Sequence, residues 1–357
     1  MVSDFGIAII GAGPAGATLA RLLAGNESVL LIDGKTDLEK SFRKVCGGLL
    51  SPDAQKAFAE FDLTLPKNIL VDPQIFSVRT IDLRKKSEKH YQRFYMNLDR
   101  HKFDLWLGSL VPESVERFVG KCRKISRNEN GSYSLVCKGI DGIEKKFTAG
   151  KIVGADGAGS IVRKFLYPNK KIRRYTAIQQ WFPEENAKPF YSCIFDPETS
   201  DCCSWSISKD NIFIFGGAFA PKNCRENFEK QKKRLEEFGF VFGKPIKTEA
   251  CMVLRPKSPF DICTGKDGAF LIGEAAGLIS PSSLEGISFA VNSARMLAEV
   301  LNSGVSAPEK AYGRKIIPMR IKIFAKVMKC PFMYDPFLRS MVMKSGISSI
   351  KIVKQTR

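Results

Sequence analysis

The sequence predicts an α/β fold built around a parallel sheet, and three features near its N-terminus carry that prediction. The apolar run Ile7-Ala8-Ile9-Ile10 leads directly into the glycine-rich turn Gly11-Ala12-Gly13-Pro14-Ala15-Gly16. A helical pattern follows over residues 14–24, and a second apolar run ends on the carboxylate of Asp33. A strand, a G-x-G-x-x-G turn, a helix and a strand that ends in an acid together indicate a dinucleotide-binding βαβ unit.

The small residues of this turn have distinct predicted roles. Gly11 permits the tight turn, Gly13 lets the backbone approach a pyrophosphate, and Gly16 lets the helix pack closely on the strand. Pro14 and Ala15 open the helix, whose first N–H groups and positive dipole end favour phosphate. All five residues are therefore assigned to the cofactor.

The acid at the end of the second strand indicates which nucleotide is bound. Asp33 can accept hydrogen bonds from a ribose, and the residue after it is Gly34 rather than an arginine. A ribose with a free 2′-hydroxyl is expected, which favours NAD or FAD over NADP. Asp33 and Gly34 join the predicted cofactor residues, and later segments must distinguish the two dinucleotides.

Two further strand ends share a pattern of glycine and acid. The apolar segment 151–154 is followed by Asp156 and Gly157, and the apolar segment 269–272 is followed by Gly273 and Glu274, with Gly277 close behind. Such places let backbone and a carboxylate approach a ligand without side-chain bulk. These residues are predicted to contact the cofactor.

The two segments resemble the D-G and G-D motifs of FAD-dependent oxidoreductases of the para-hydroxybenzoate hydroxylase type, in that family's order and spacing. The resemblance implies a Rossmann-type FAD-binding domain of the glutathione-reductase class, and it implies that the segment from Asp156 to Arg163 assists a nicotinamide donor. The family has Asp where this chain has Glu274, whose carboxylate reaches one methylene further. The resemblance implies a contact between the Glu274 carboxylate and the ribityl chain.

A cysteine-containing loop indicates a branch of that family. Lys44, Cys46, Gly47 and Gly48 resemble the K-x-C-G-G segment of geranylgeranyl-reductase-like flavoproteins, and Arg100 resembles the arginine that begins a helix beside FAD. The glycines would let the backbone approach the flavin ring or the substrate. The resemblance places Cys46 in the pocket, although a small buried apolar residue is an equally good interpretation.

A turn-rich segment precedes the last predicted helix of the cofactor domain. Residues 279–287 contain proline, serine and glycine, and a helix is expected over 288–301. The N–H groups near Gly286 and Ile287 could stabilise negative charge on the N1–C2=O edge of a reduced flavin. A loop and helix cap without chemistry is the alternative.

The middle of the chain alternates aromatic and β-branched residues, as in Tyr191–Phe195, Ser204–Ile207 and Ile212–Phe215. This pattern predicts an inserted antiparallel sheet that covers the flavin and builds the substrate pocket. The expected organisation is a discontinuous FAD domain over 1–64, 96–165 and 256–303, a β-sheet substrate domain over 65–95 and 166–255, and a basic helical segment over 304–357.

The C-terminal segment concentrates positive charge. The chain of 357 residues has a net charge of +19, and residues 311–357 contain eleven Lys or Arg and a single acid, Asp335. A helix interrupted near Pro318 is expected, with an apolar stripe formed by Tyr312, Ile316, Met319, Ile323 and Val327. This stripe could lie on an anionic membrane or pack on the protein. Nucleic acid is a weaker candidate, because no recognised nucleic-acid-binding motif is present.

The cysteines and histidines argue against a metal site. None of the ten cysteines forms C-x-x-C, and the two histidines, His90 and His101, lie far from any cysteine in sequence. Cys202 and Cys203 would point to opposite faces of a strand, which disfavours a redox pair. With no secretory signal and no long apolar run, a cytoplasmic protein with reduced thiols is expected, either free or peripheral to the inner face of the membrane.

The resemblance implies a reductase that hydrogenates isolated C=C bonds of an isoprenoid lipid by hydride transfer from flavin N5. Because the chain has only one dinucleotide fingerprint, NAD(P)H or another electron donor would bind transiently. The predicted proton donors are Cys46, Tyr191 and Tyr175, which the sequence does not rank.

Three alternatives stay open at this point. The same motifs suit an FAD-dependent monooxygenase, although the sequence offers no well-placed histidine as general base. A flavin-dependent halogenase is weaker, because the segment Cys203–Ser208 lacks the first tryptophan and the proline of W-x-W-x-I-P. A membrane-associated flavin-binding redox sensor is a candidate without catalysis.

Overall fold

The computed structural model describes residues 4–35, 44–184 and 190–352. In chain order the strands are β1 (Phe5–Ile10), β2 (Val29–Asp33), β3 (Leu49–Leu50), β4 (Ile75–Asp82), β5 (Ser87–Asn97), β6 (Glu116–Arg127), β7 (Tyr133–Gly139), β8 (Glu144–Gly154), β9 (Arg174–Pro183), β10 (Phe190–Phe195), β11 (Ser204–Lys209), β12 (Ile212–Phe219), β13 (Lys247–Leu254), β14 (Gly265–Lys266), β15 (Ala269–Leu271) and β16 (Ser349–Ile350). The α-helices are α1 (Pro14–Leu23), α2 (Pro52–Ala59), α3 (Arg100–Ser109), α4 (Ile161–Leu166), α5 (Cys224–Glu236), α6 (Ile287–Asn302), α7 (Pro308–Lys315), α8 (Ile317–Tyr334) and α9 (Pro336–Ser345). The α/β fold class is confirmed.

The chain forms two compact units. The first comprises the described residues of 1–43, 101–173 and 254–325, and the second those of 44–100, 174–253 and 326–357. Residues 44–64 therefore group with the second unit, although the sequence analysis assigned them to the FAD domain. The reason is strand pairing, since β3 pairs with β5 through Leu49 and Asn97. The predicted C-terminal segment is likewise divided, at residue 325.

The first unit contains a parallel sheet in the order β6, β2, β1, β8, β15. Ile10 lies beside Ile32 of β2 and Gly154 of β8, and Gly154 lies beside Leu271 of β15. The carboxyl ends of these strands thus meet at one edge, where parallel α/β sheets bind ligands. Strand β7 extends the sheet by pairing antiparallel with β6 and β8.

The second unit contains a sheet in the order β13, β9, β12, β11, β10, β4, β5, β16, with β3 paired to β5. An antiparallel sheet was predicted, and β9, β12, β11 and β10 do pair antiparallel in turn. The difference is that β10 runs parallel to β4. These two strands come from separate pieces of the chain, so no tight turn fixes their relative direction.

The two faces of this sheet differ in composition. One face packs a phenylalanine-rich core against helix α5, with Phe182, Phe215, Phe219 and Phe228 at 2% exposure or less. Phe215 and Phe228 stack with ring centroids 5.2 Å apart. Successive strand residues point to opposite faces, so Trp205 and Ile207 lie on the other face. The core therefore leaves the second face for other contacts.

The C-terminal helices differ from the predicted interrupted helix. Pro318 lies in the first turn of α8, where a missing N–H is tolerated, so the break falls before it, at Ile316. Arg339 of α9 bonds the Asp82 carboxylate on β4 through Nε at 2.9 Å, and both side chains are buried. None of the described helices combines the length and hydropathy needed to cross a bilayer. Residues 353–357 of the basic segment lie outside the described residues.

Candidate functional site

The glycine-rich turn after β1 leaves one open position. Gly11 has φ +104°, and a Cβ there would lie 2.6 Å from the Ala155 carbonyl oxygen. A Cβ on Gly16 would overlap the Gly11 carbonyl. A Cβ on Gly13, in contrast, would meet only the Lys35 Nζ, at 3.6 Å. Gly11 and Gly16 therefore shape the turn, and Gly13 leaves space beside the N-terminus of α1, whose first turn contains no acid.

The Asp33 carboxylate lies beside the same turn. One oxygen accepts a hydrogen bond from the Ala12 N–H, and the other accepts one from the Lys35 N–H at 2.6 Å. A carboxylate oxygen can accept more than one hydrogen bond, so Asp33 can still bind a ribose hydroxyl. The position after β2 and the orientation of this carboxylate suit the predicted role.

A buried ion pair next to this turn was not predicted. The Lys35 Nζ lies 2.9 Å from an Asp104 Oδ2 on helix α3, and their side chains are 13% and 3% exposed. The Lys35 ammonium adds positive charge close to Gly13, where a phosphate would bind. A basic residue two positions after the acid could have indicated Lys35, but no local pattern indicates Asp104.

The glycine-acid motifs after β8 and β15 meet in the first unit. A Cβ on Gly157 would lie 3.8 Å from a Glu274 carboxylate oxygen. Arg163 is buried and joins the two segments, since its guanidinium donates to the Ala275 carbonyl at 2.7 Å and to the Ala158 carbonyl. Arg163 thus braces the two loops through main-chain oxygens.

Asp156 provides a test of whether the site suits a cofactor. Its Oδ2 accepts a hydrogen bond from the Ile161 N–H at 2.7 Å, whereas its buried Oδ1 has no partner among the described residues. Burial raises the pKa of this carboxyl, against hydrogen bonds that lower it. A buried acceptor of this kind fits a hydroxyl of a dinucleotide. The residues present therefore fit FAD.

Glu274 uses its extra methylene within the protein. One carboxylate oxygen accepts a hydrogen bond from the Leu254 N–H at 2.9 Å, and the preceding Gly273 N–H donates to the Ser293 Oγ at 2.9 Å. A Cβ on Gly277 would lie 3.2 Å from the Asp261 carbonyl oxygen, so this glycine allows close packing of two loops. Glu274 therefore has both a structural contact and a position beside Gly157.

The start of helix α6 is capped by its own chain. Glu285 accepts hydrogen bonds at 2.8 Å from both the N–H and the Oγ of Ser288. This leaves the N–H groups of Gly286 and Ile287 as the candidates for binding negative charge. Arg255, which the sequence analysis missed, is buried and supports this loop by donating to the Pro281 carbonyl at 2.8 Å.

The Cys46 loop packs against the sheet of the second unit. A Cβ on Gly47 would lie 2.6 Å from the Ile207 Cδ1, and Gly48 has φ +64°. The Cys46 thiol accepts a hydrogen bond from the Gly48 N–H at 3.4 Å. Within this unit, the two glycines let the loop approach the protein's own strand β11. Their predicted approach to the flavin or the substrate stays a prediction.

A buried lysine holds this loop in place. The Lys209 Nζ donates to the Leu98 carbonyl at 2.8 Å, to the Gly48 carbonyl at 3.4 Å and to the Asn97 side-chain oxygen. Desolvation lowers the pKa of Lys209 to about 8. No sequence signal identified this residue, because its partners come from two other segments of the chain.

The other residues of the branch motif have simpler positions. The Lys44 Nζ donates to the Met252 carbonyl at 3.3 Å, and Arg100 is the first residue of α3. Ser51 caps α2 by accepting a hydrogen bond from the Ala54 N–H. The short strand β3 lies between this helix and the Cys46 loop.

The two candidate tyrosines have different environments. The Tyr175 hydroxyl donates to an Asp201 carboxylate oxygen at 2.6 Å, and its side chain is 1% exposed. Tyr191 contacts Tyr95 edge-on, with ring centroids 5.8 Å apart. Burial raises the pKa of the Tyr191 phenol well above its usual value. The Tyr191 phenol is protonated at neutral pH, as any tyrosine is, and the Tyr175 hydroxyl is hydrogen-bonded to Asp201.

Comparison with known proteins places the chain in a family. No protein-family model matches it. The protein CbrA of Escherichia coli O9:H4 (strain HS) is 49% identical over 355 residues, which cover 99% of this chain and 96% of CbrA. The protein CbrA of Shigella sonnei is 50% identical over 358 residues, covering 99% and 100% of the two chains. The chain belongs to the CbrA family.

Solved structures show the fold of this CbrA-family protein. A geranylgeranyl bacteriochlorophyll reductase-like protein from Thermoplasma acidophilum has a TM-score of 0.78 and 18% identity, covering 98% of this chain and 93% of that one. PqsL, a probable FAD-dependent monooxygenase from Pseudomonas aeruginosa, has a TM-score of 0.69 and 16% identity, covering 95% and 99%. The flavin-dependent brominase Bmp2 has a TM-score of 0.65 and 20% identity, covering 95% and 92%. The fold is that of FAD-dependent flavoproteins.

Among the described residues of this CbrA-family chain, no group of three His, Cys, Asp or Glu side chains is arranged to hold a metal ion. The structure describes all ten cysteines, and none of them is joined in a disulfide. Interaction with the Cys203 side chain is the largest cause that raises the pKa of the Cys193 thiol.

Proposed function

We propose that this CbrA-family protein is an FAD-dependent oxidoreductase of the geranylgeranyl-reductase-like type, which reduces C=C bonds of an isoprenoid lipid. One observation carries the cofactor assignment: Asp156, Gly157 and Glu274 converge at the sheet edge that also presents the open turn at Gly13. Sequence places these residues in three distant segments, so their convergence supports a shared ligand.

The first unit contains residues suited to the pyrophosphate and to hydroxyl groups of the cofactor. The open position at Gly13 and the N-terminus of α1 suit a pyrophosphate, with the Lys35 ammonium nearby. Asp33 suits the adenosine ribose, and the unpartnered Asp156 oxygen suits a further hydroxyl. When bound, FAD supplies hydride from N5 of its ring.

The second unit supports an apolar substrate. On the sheet face opposite the phenylalanine core, Trp205 and Ile207 of β11 lie under the Cys46 loop. The Trp205 indole N–H is held by the Gln179 side-chain oxygen at 3.1 Å, so the face has little hydrogen-bonding capacity at this point. A substrate would occupy the part of this face that the Cys46 loop leaves open, and an apolar surface of this kind suits a prenyl chain better than a polar molecule.

The reaction needs a proton as well as a hydride. Saturation of a C=C bond takes two electrons and one hydrogen as hydride on one carbon, and a proton on the other. We assign the proton to Tyr191, and we keep the Cys46 thiol as the second candidate. Cys193 of β10 pairs with Trp205, so Tyr191, two residues earlier on the same strand, lies on the Trp205 face of the sheet.

The runner-up is an FAD-dependent monooxygenase. The fold similarity to PqsL favours it, because the same architecture serves a probable monooxygenase. Hydroxylation commonly needs a general base. The two histidines lie on β5 and α3, and burial is the main cause that lowers the pKa of His90. Neither histidine is among the residues proposed for the site, so the monooxygenase has no proposed general base.

The deciding experiment follows the bound flavin. The purified holoprotein is photoreduced without oxygen and mixed with a membrane polyprenyl-lipid extract while flavin absorbance is recorded. The hydrogenated form of the same extract is the control. We expect oxidation of the flavin by the unsaturated extract alone, with a product heavier by two hydrogens. NADH and NADPH are then compared as reductants of the oxidised flavin.

Other outcomes discriminate among the alternatives. Oxidation only after oxygen is admitted, with one oxygen atom in the product, would support the monooxygenase. Absence of flavin from the purified protein would overturn both proposals. Tyr191→Phe should slow lipid-dependent oxidation at least tenfold, with Tyr91→Phe on β5 as the matched control, since proton donation contributes about 10²-fold or more.

A further inference from the structure

Two apolar stripes run along helices α7 and α8, and the structure buries most of the first and exposes the second. Four of the five members of the stripe expected from the sequence are buried in the first unit, namely Tyr312, Ile316, Met319 and Ile323, none more than 6% exposed. The fifth, Val327, is half-buried. The Tyr312 hydroxyl donates to the Leu271 carbonyl at 3.1 Å. This stripe therefore packs on the protein, which is one of the two positions expected from the sequence, and it does not face outward.

A second set of side chains on α8 is exposed, and we name it the outer stripe. Its members recur every three or four residues, so they share one face of the helix. The exposed fractions are 48% at Ile317, 62% at Ile321, 50% at Phe324, 57% at Met328 and 54% at Phe332. Single exposed apolar residues are ordinary, but a continuous row on a helix marks an interaction surface.

Two lysines lie along one side of the outer stripe. At 3.6 residues per turn, Lys322 and Lys329 lie about a third of a turn around the helix from its centre. Lys329 is exposed, and the Lys322 Nζ lies 5.7 Å from the Phe289 ring centroid. An apolar stripe beside a row of lysines is the pattern of a helix that lies in a lipid interface.

The surrounding segment has the same character. Residues 311–357 contain eleven basic residues and one acid, Asp335. Helix α9 adds the exposed side chains of Phe337, Met341 and Val342, at 68%, 56% and 47%. Asp335 itself accepts hydrogen bonds from the Phe337 and Leu338 N–H groups at 2.9 Å, as the cap of α9.

We propose that the outer stripe is a docking surface for an anionic phospholipid bilayer. The apolar side chains would enter the interface while the flanking lysines meet lipid phosphates. A second copy of this chain is the less suitable occupant, because symmetric pairing would bring the same basic flanks together. The membrane surface is independent of the flavin site and of the proposed reaction.

Vesicle sedimentation of the full-length holoprotein tests the proposal. Phosphatidylcholine vesicles are compared with vesicles of phosphatidylcholine and phosphatidylglycerol in equal parts. We expect binding to the anionic vesicles, weakened by high salt, and at least about tenfold weaker binding to the neutral ones, because both charge and apolar insertion contribute.

Two matched pairs of variants separate the contributions. Ile321→Ser with Phe324→Ser removes two outer-stripe side chains, and Ile140→Ser with Phe260→Ser removes two side chains that are 64% and 82% exposed elsewhere. Lys329→Glu is compared with Lys145→Glu, which changes net charge equally. We expect the first member of each pair to weaken binding about tenfold and the second to leave it unchanged.

Two outcomes would overturn the proposal. One is equal vesicle binding by the Ile321→Ser, Phe324→Ser variant and the unmodified protein. The other is a dimer in sedimentation velocity that this variant loses while vesicle binding stays absent, which would assign the face to a second copy. Flavin absorbance and thermal unfolding of every variant show that the fold is retained, so these outcomes are distinct from failure of the cofactor proposal.

Discussion

The turn at Gly13 and the loop at Gly47 and Gly48 both depend on glycine, but they use it in opposite ways. In the first unit, a Cβ on Gly13 would meet only a lysine nitrogen, at 3.6 Å. In the second unit, a Cβ on Gly47 would lie 2.6 Å from the Ile207 Cδ1, and one on Gly48 would lie 2.8 Å from the Lys209 Nζ. The open turn suits a ligand, and the closed loop holds the protein together.

The lysines near the two glycine segments also differ, because one lies beside an open turn and the other holds a loop closed. Lys35 is paired with Asp104 at 2.9 Å beside a turn that can receive an anion. Lys209 instead donates to two main-chain carbonyls and to Asn97. Substitutions at the open turn should therefore change ligand binding, whereas those at the closed loop should change stability.

The largest expected effect is at the open turn. Gly13→Glu puts a carboxylate where the pyrophosphate would lie, so it should weaken flavin binding by at least about 100-fold. The absorbance of the purified protein measures bound flavin directly. Gly313→Glu, on α7 with nothing within 4 Å of its Cβ position, is the matched control and should keep flavin. Full flavin content in Gly13→Glu would contradict the cofactor assignment.

The closed loop should respond through unfolding. Gly48→Ala places a Cβ against the Leu98 carbonyl and the Lys209 ammonium at positive φ, so we expect a loss of about 3 kcal/mol in unfolding free energy. Gly131→Ala shares the positive φ but has nothing within 4 Å, so it isolates the backbone contribution. Denaturant titration compares the two. Equal losses would show that the loop is not closed as described.

Lys209 predicts a pH dependence with a definite sign. Its pKa in the folded protein, about 8, lies below the ordinary value of 10.5, so the unfolded chain binds more protons between those values. The unfolding free energy should therefore rise with pH across this window, by up to about 3 kcal/mol relative to Lys209→Met. Denaturant titrations from pH 7 to pH 10 measure the difference, and a constant difference would refute the burial of the charge.

The smallest expected effect concerns the acid after β15. Glu274→Asp restores the residue of the wider superfamily but shortens the side chain, so the Leu254 N–H would lose its acceptor. We expect a loss of about 1 kcal/mol in stability with flavin retained. Thermal unfolding and flavin content are the measurements. Loss of flavin would show instead that the longer side chain is needed at the cofactor.

Local sequence predicted the elements of the cofactor site well. The strand Val29–Asp33 is observed as predicted, and helix α1 ends one residue before the predicted Ala24. The helix predicted over 288–301 is observed as Ile287–Asn302. These predictions succeeded because strand periodicity, Pro14 and the glycine turn are local signals.

The sequence did not predict which residues contact one another across the site. Asp104 is joined to Lys35, Arg163 to Ala275, and Lys209 to Leu98, all across long stretches of chain. Each of these contacts depends on how the sheet aligns its strands. The Cys46 loop likewise grouped with the second unit because of strand pairing that no motif records.

The C-terminal helices show most clearly what each level determined. Residue spacing and residue type are enough to determine the helical repeat, the positive charge and the βαβ turn. Two sets of apolar residues have the same spacing, five positions apart, beginning at Tyr312 and at Ile317. The packing of these helices on the rest of the fold buries the first set as far as Ile323 and leaves the second set exposed. Spacing alone cannot distinguish the two sets, because burial depends on which face of a helix meets other residues.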